Sequence, residues 1–161
     1  MFLDISRIIL VVLSLLLTSL TLAAPSVAPV KISADSLELD QKQQTTTYSG
    51  NVLLTQGDMR LTADSLKVSV VDGKLGKIES RGKPTRFESH LDDGTLVRGE
   101  ATAITFDSRA GLLVLAGNGK LTQGRNLIEN DHIEYNLNTG SLKAGGKQSK
   151  KRVEVIFQPD Q

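Results

Sequence analysis

Imidazole is offered at only two positions, His90 and His132, and neither belongs to an H-x-x-x-H spacing that would hold a metal. His90 stands beside "LDDG", a turn-forming word, and His132 follows Asp131. The serines are not accompanied by a G-x-S-x-G elbow. The absence of cysteine removes a thiol nucleophile, a zinc–thiolate site and any disulfide frame. Aspartates recur in pairs, Asp40 with Asp107 and Asp64 with Asp131. Paired carboxylates can move protons or bind calcium, but no D-x-D-x-D-G loop is present. Aspartate at a strand boundary more simply caps the turn with its own side chain. The twice-used word G-N-x-x-L-T-Q-G lacks the Lys-Ser or Lys-Thr and the helix of a phosphate loop. Its Gly-Asn pair suits a positive-φ turn or bulge, and its last glycine a strand end. These residues argue against catalysis, metal or cofactor chemistry.

The elements around them are read from alternation. Leu37 and Leu39, Val52 and Leu54, then Met59, Leu61 and Ala63 each share a face of an extended chain. So do Leu66, Val68 and Val70, Ile104 and Phe106, Leu113 and Leu115, then Ile133, Tyr135 and Leu137, and near the end Val153, Val155 and Phe157. A period of two with polar residues between is the mark of half-buried antiparallel strands. Breaks such as "YSGN", "TQGD", "VDGK", "SRGKP", "AGNG" and "LNTG" imply strands of about five residues in an all-β sandwich, roll or solenoid. No helical period appears after residue 24.

Shifting the chain by 67 residues, without a gap, lays residues 31–75 over 98–142. Ala34, Asp40, Gly50, Asn51, Leu54, Thr55, Gln56, Gly57, Asp64, Gly73 and Leu75 meet identical residues. A one-residue slip would turn every side chain to the other face, so kept register implies duplicated β modules. Two such halves point to an elongated repetitive sheet. Its terminal strands, carrying Val30 and Ile32 at one end and Val153, Val155 and Phe157 at the other, are expected edges open to another copy.

The 161 residues, 39% of them hydrophobic, suffice for one domain with a core. A formal charge of +1 gives no concentrated basic face, which excludes a nucleic-acid partner. The one basic cluster, residues 147–152, reads as a solvated turn before an edge strand, or as an anionic-ligand contact. Residues 8–22 are apolar and precede the small residues "AAPSVAP", the pattern of a secretory signal cleaved after residue 23 or 24. The domain then spans 24–161 and lies in the periplasm. An uncleaved membrane anchor is the alternative.

The words "PVKISADSLELD", "YSGNVLLTQGDMRLTADSLKV", "RGKPTRFE", "VRGEATAITFD", "LLVLAGNGKLTQG", "ENDHIEYNLNTG" and "GKQSKKRVEVIFQP" together resemble the OstA-like family of lipopolysaccharide-transport proteins across the mature chain. The resemblance implies an elongated antiparallel β-jellyroll, folded and twisted like a taco, that receives lipid A acyl chains. Its lining would comprise Ile32, Leu37, Leu39, Val52, Leu54, Leu61, Leu66, Val68, Phe87, Ile104, Phe106, Leu113, Leu115, Ile133 and Tyr135. Phe87 and Phe106 fall on aromatic positions of the family. The resemblance also implies copies stacked head to tail between an inner-membrane LptC-like anchor and an outer-membrane LptD-like N-terminal domain. Neither enzyme activity nor a cofactor is implied; an ATPase elsewhere would drive movement. The turn "VVDGKLGK" departs from a more charged family version, so the resemblance does not carry headgroup contacts over to Lys74 and Lys77. Two other uses fit the same pattern: a membrane-anchored LptC-like subunit, and a periplasmic β-repeat structural protein without lipid.

Overall fold

Ten strands carry the alternation: β1 Lys31–Ser33, β2 Ser36–Asp40, β3 Thr45–Gln56, β4 Met59–Val71, β5 Lys74–His90, β6 Leu96–Asp107, β7 Leu112–Gln123, β8 Asn126–Asn136, β9 Leu142–Ala144 and β10 Glu154–Ile156. A computed structural model describes residues 28–147 and 149–158. The expected signal segment, residues 1–23, lies outside the described residues. Among these there is no helix.

All ten strands form one open antiparallel sheet, with β3 to β8 in chain order. β1 and β2 share the outer side of β3, and β9 and β10 share the outer side of β8. Each edge is therefore a broken strand.

The six inner strands run 11 to 17 residues, not the five the breaks suggested. The Gly-Asn words do not end strands; they bend them. The pairing of β3 with β4 slips between Ser49 and Val52, and that of β7 with β8 between Ala116 and Gly119. "SRGKP" likewise lies inside β5, where pairing with β6 slips between Arg81 and Thr85. An extra residue in one strand bends the ladder without ending it. These slips form a line across the sheet and divide every long strand into two arms.

The arms pack face to face. One core cluster joins Val52, Leu54, Leu61 and Ala63 of one arm to Leu66 and Ile78 of the other. A second joins Phe87, Val97, Ala101 and Leu121 to Ile104, Leu113, Leu115, Ile133 and Tyr135. With one sheet and no helix among the described residues, folding the sheet on itself is how that apolar face leaves water. Each fully buried aliphatic side chain contributes ~1.5–3 kcal/mol. The first cluster belongs to the first half of the chain and most of the second to the other half. Met59 and Phe106 touch both.

The 67-residue echo holds in the backbone. φ is 80° at Gly50 and 79° at Gly117, 46° at Asn51 and 51° at Asn118, 59° at Gly57 and 57° at Gly124. Asp40 Oδ1 accepts from the amides of Lys42 and Gln43, and Asp107 Oδ1 from those of Arg109 and Ala110. The other pair differs: Asp64 and Asp131 lie within β4 and β8 at the bend, not at strand ends.

Candidate functional site: the apolar interior and its open edges

Cross-strand register aligns the inward side chains into rows that run from one sheet edge to the other. One row reads Leu39, Thr46, Val68, Ile78, Phe106, Leu113, Tyr135, Leu142. Beside it runs Leu37, Tyr48, Leu66, Ser80, Ile104, Leu115, Ile133, Ala144. On the facing arm stand Ile32, Leu54, Leu61, Phe87, Gly99, Leu121, Ile128, Val155. Each row begins on the N-terminal edge and ends on the C-terminal one.

The rows are tight in the middle and open at the ends. Val52, Leu54, Leu61, Leu66, Phe87, Ile104, Leu113, Leu115, Ile133 and Tyr135 are buried, and Ile32, Val68 and Phe106 half-buried. Leu37 and Leu39 are instead 61% and 57% exposed, because β2 has no strand beyond it. Val30, Val153, Val155 and Phe157 are exposed as well, Phe157 at 72%.

Polar side chains interrupt the interior: Asn130 in β8 is buried and bonds the Lys151 carbonyl and the His132 amide, and β5 carries a hydroxyl pair. Ser80 Oγ donates to the Ile104 carbonyl at 3.1 Å, and Thr85 Oγ1 lies 3.0 Å from both the Thr62 carbonyl oxygen and Ser80 Oγ. The pair sits in β5 on either side of "GKP". Buried hydroxyls are tolerated when bonded, and these satisfy the backbone at the bend.

Sequence reasoning missed Ile78 and Val97, both buried in the core. In β5 the inward positions include Gly76, Ser80, Gly82 and Thr85, all buried, so small and polar residues hide the alternation. The register slip then changes its parity. The signal available was "KIESRGKPTRF" itself, with Ile78 and Phe87 at its ends.

The histidines and their carboxylate partners lie outside the trough, and Tyr135 is the shifted group inside it. His90 Nδ1 is 2.7 Å from Asp58 Oδ2, and that hydrogen bond holds the Asp58 carboxyl below its usual range. His132 Nε2 is 3.0 Å from Glu134 Oε1. Burial pushes the Tyr135 phenol up, with the Asp93 charge adding to it. Among the described residues no three His, Asp or Glu side chains cluster as a metal site would require. On the outer face a groove of about 550 Å³ includes Arg86, Glu88, Arg98, Glu100 and Lys120. Most of its charges are paired within the sheet: Arg86 with Glu100 at 3.2 Å, Arg98 with Glu88 at 2.7 Å, and Lys120 with Glu129 at 2.9 Å, while Arg60 also lines it. Of the basic cluster at 147–152, Lys151 lies in the loop between β9 and β10 and pairs with Asp131 at 3.3 Å. What the arrangement offers is a packed apolar interior whose rows end at exposed sheet edges.

Residues 31–141 match the family model described as LptA/(LptD N-terminal domain) LPS transport protein. The lipopolysaccharide export system protein LptA of Escherichia coli K12 is 33% identical over 135 residues, which cover 83% of this chain and 72% of that one. The lipopolysaccharide export system protein LptH of Pseudomonas aeruginosa is 32% identical over 154 residues, 88% and 87% of the two chains. The crystal structure of LptH, described as the LptA-homologous periplasmic component of the lipopolysaccharide transport device of that organism, superposes with a TM-score of 0.74. It is 28% identical, and the match covers 82% of this chain and 96% of the other. The expected antiparallel jellyroll-like fold is thus the fold of a solved relative.

Proposed function

Because the chain belongs to the LptA/LptD N-terminal-domain family of lipopolysaccharide transport proteins, we propose that it binds lipopolysaccharide in the periplasm and passes it from the inner towards the outer membrane. The family's work is transport, not catalysis. The single observation that carries the reading is the run of apolar rows from one sheet edge to the other. Acyl chains gain ~0.8 kcal/mol for each methylene removed from water. A continuous apolar path between two arms keeps that gain nearly constant along its length, so the lipid can slide without a deep trap.

The buried middle means that the arms part to admit acyl chains, starting at the lip where Leu37, Leu39 and Val68 are accessible. Phe87 and Phe106 then contact lipid from opposite arms. The sugar and phosphate headgroup stays outside in water. Copies stack head to tail, β10 of one continuing onto β1 of the next, and the same edges receive an LptC-like anchor at the inner membrane and an LptD-like N-terminal domain at the outer one. Residues 1–23 act as the export signal.

Photo-crosslinking in cells tests this. A photoreactive residue in place of Leu37 or Phe106 is expected to capture lipopolysaccharide, and one in place of Lys67, on the outer face, is not. Capture at neither interior position, or equal capture at Lys67, would overturn the lipid reading. Depletion of the protein should leave lipopolysaccharide at the inner membrane; unchanged surface lipopolysaccharide would count against a bridge.

A further inference from the structure

The internal duplication shows what each edge strand is missing. β1 and β2 are the counterparts of β6: their pairing with β3 at Lys31↔Thr55 and Asp40↔Thr45 repeats, 67 residues on, as Arg98↔Thr122 and Asp107↔Leu112 between β6 and β7. β9 and β10 are the counterparts of β5. Where β5 sets Ile78 opposite Val68 and Phe87 opposite Leu61, β9 sets Leu142 opposite Tyr135 and β10 sets Val155 opposite Ile128. Inside the molecule the two counterparts, β5 and β6, pair with each other. The C-terminal edge is thus a second β5 without its β6, and the N-terminal edge a second β6 without its β5.

We propose that the seam between stacked copies repeats the internal β5–β6 seam residue for residue, and that Lys143 opposite Glu38 of the next copy fixes its register. This rests on the head-to-tail reading above and deepens it. Carrying the internal register across, Ile78↔Phe106 becomes Leu142↔Leu39, Ser80↔Ile104 becomes Ala144↔Leu37, and Phe87↔Gly99 becomes Val155↔Ile32. Each of the three apolar rows then continues into the next copy with an inward residue meeting an inward residue. Between the first two pairs, Glu79↔Thr105 becomes Lys143↔Glu38, opposite charges on the outer face. On the other arm Arg86↔Glu100 becomes Glu154↔Ser33, which leaves Glu154 diagonal to Lys31. Opposite charges facing across strands stabilise a register; a two-residue slip one way sets Lys143 opposite Ser36, and the other way, opposite Asp40, sets Leu142 against Gln41 and Glu154 against Asp35.

Exposure agrees with this assignment. Leu37 is 61% exposed, whereas its internal counterpart Ile104, covered by β5, is 1% exposed. Most large exposed apolar residues lie on the two edges, with Leu37 and Leu39 on one and Val153, Val155, Ile156 and Phe157 on the other; Val70 and Val71 stand at the end of β4.

The chain has no cysteine, so defined pairs can be introduced. Full-length protein carrying Lys143→Cys is mixed with protein carrying Ser36→Cys, Glu38→Cys or Asp40→Cys and oxidised mildly. The Glu38 mixture is expected to give the dominant disulfide-linked dimer. A dominant dimer from the Ser36 or Asp40 mixture would overturn the register while leaving stacking intact. No dimer in any mixture, with sedimentation still showing oligomers, would overturn the seam; sedimentation as monomers would overturn the stacking reading with it. In a separate arm Glu38→Lys and Lys143→Glu each weaken self-association about three- to five-fold, and the double exchange restores it. Failure of the double exchange to recover association would overturn the role of the pair. Glu38 is exposed, so the single change leaves the fold in place.

Discussion

Gly50 and Gly117 hold φ near +80° at the bend, a conformation that costs a side-chain-bearing residue about 1–3 kcal/mol. At Gly50 a methyl would also lie 2.9 Å from Asp35 Cβ and closer still to its carboxylate. Asp35 would have to swing away from Asn51 Nδ2, which it accepts at 2.8 Å. At Gly140, with φ 67°, a methyl meets nothing within 4 Å. Gly50→Ala is therefore expected to cost more than Gly140→Ala, by about 1 kcal/mol or more, in urea unfolding; equal losses would mean that backbone strain alone matters. A second prediction concerns Asp58. The His90 hydrogen bond lowers its folded pKa, so the interaction is complete above the ordinary carboxylate value of 3.8 and fades as pH falls below it. In His90→Ala, NMR titration should find the Asp58 pKa raised towards that ordinary value, the backbone amide of residue 90 still donating to the carboxylate. A residue-by-residue reading of the sequence found neither histidine in a metal-ligand pattern, and it found the glycines that repeat. It could not find the Asp58–His90 contact, because Asp58 in the turn before β4 and His90 at the end of β5 are brought together only by the folded sheet.

At the scale of elements, alternation revealed most strands but misjudged their lengths. A Gly-Asn word has the same composition whether it closes a hairpin or bulges a continuing strand. Which occurs depends on the partner strand, and that information is far away in sequence. A trace was present: the inward series of β4 changes parity between Ala63 and Leu66, the mark of an inserted residue at the bend. β5 was obscured for another reason. Small and polar residues fill its inward positions, since the arms come together where β5 bends. The row geometry makes a prediction about stability. Leu115 is fully buried between the arms, so Leu115→Ala is expected to cost about 2–5 kcal/mol in chemical unfolding. Leu37 begins the same row but is exposed on the edge. Leu37→Ala should change the unfolding of dilute protein by less than about 0.5 kcal/mol. A large loss there would mean that β2 is covered within a single copy.

The two edges of the sheet are different strands at opposite ends of the row system, so a contact between them is heterologous. Such a contact repeats without closing unless the rotation between copies happens to complete a ring. A transport bridge needs that openness, because its length then follows from the number of copies. It also leaves unpaired edges on every free copy, which β1, β2, β9 and β10 reduce by being only three to five residues long. Stability and assembly are consequently linked. A copy whose Leu37, Leu39 and Val155 are covered by neighbours has less to gain by unfolding than an isolated one. The melting temperature of the mature chain should therefore rise with protein concentration, on the order of 5 °C for each ten-fold once above the dissociation constant. A chain ending at Arg152 lacks β10 but keeps β3 to β8 and both core clusters. It should fold, show a weaker concentration dependence of its melting temperature, and sediment as shorter oligomers. If its melting temperature kept the same concentration dependence as the mature chain, the C-terminal edge would not be the seam, and the rows would end where the molecule does.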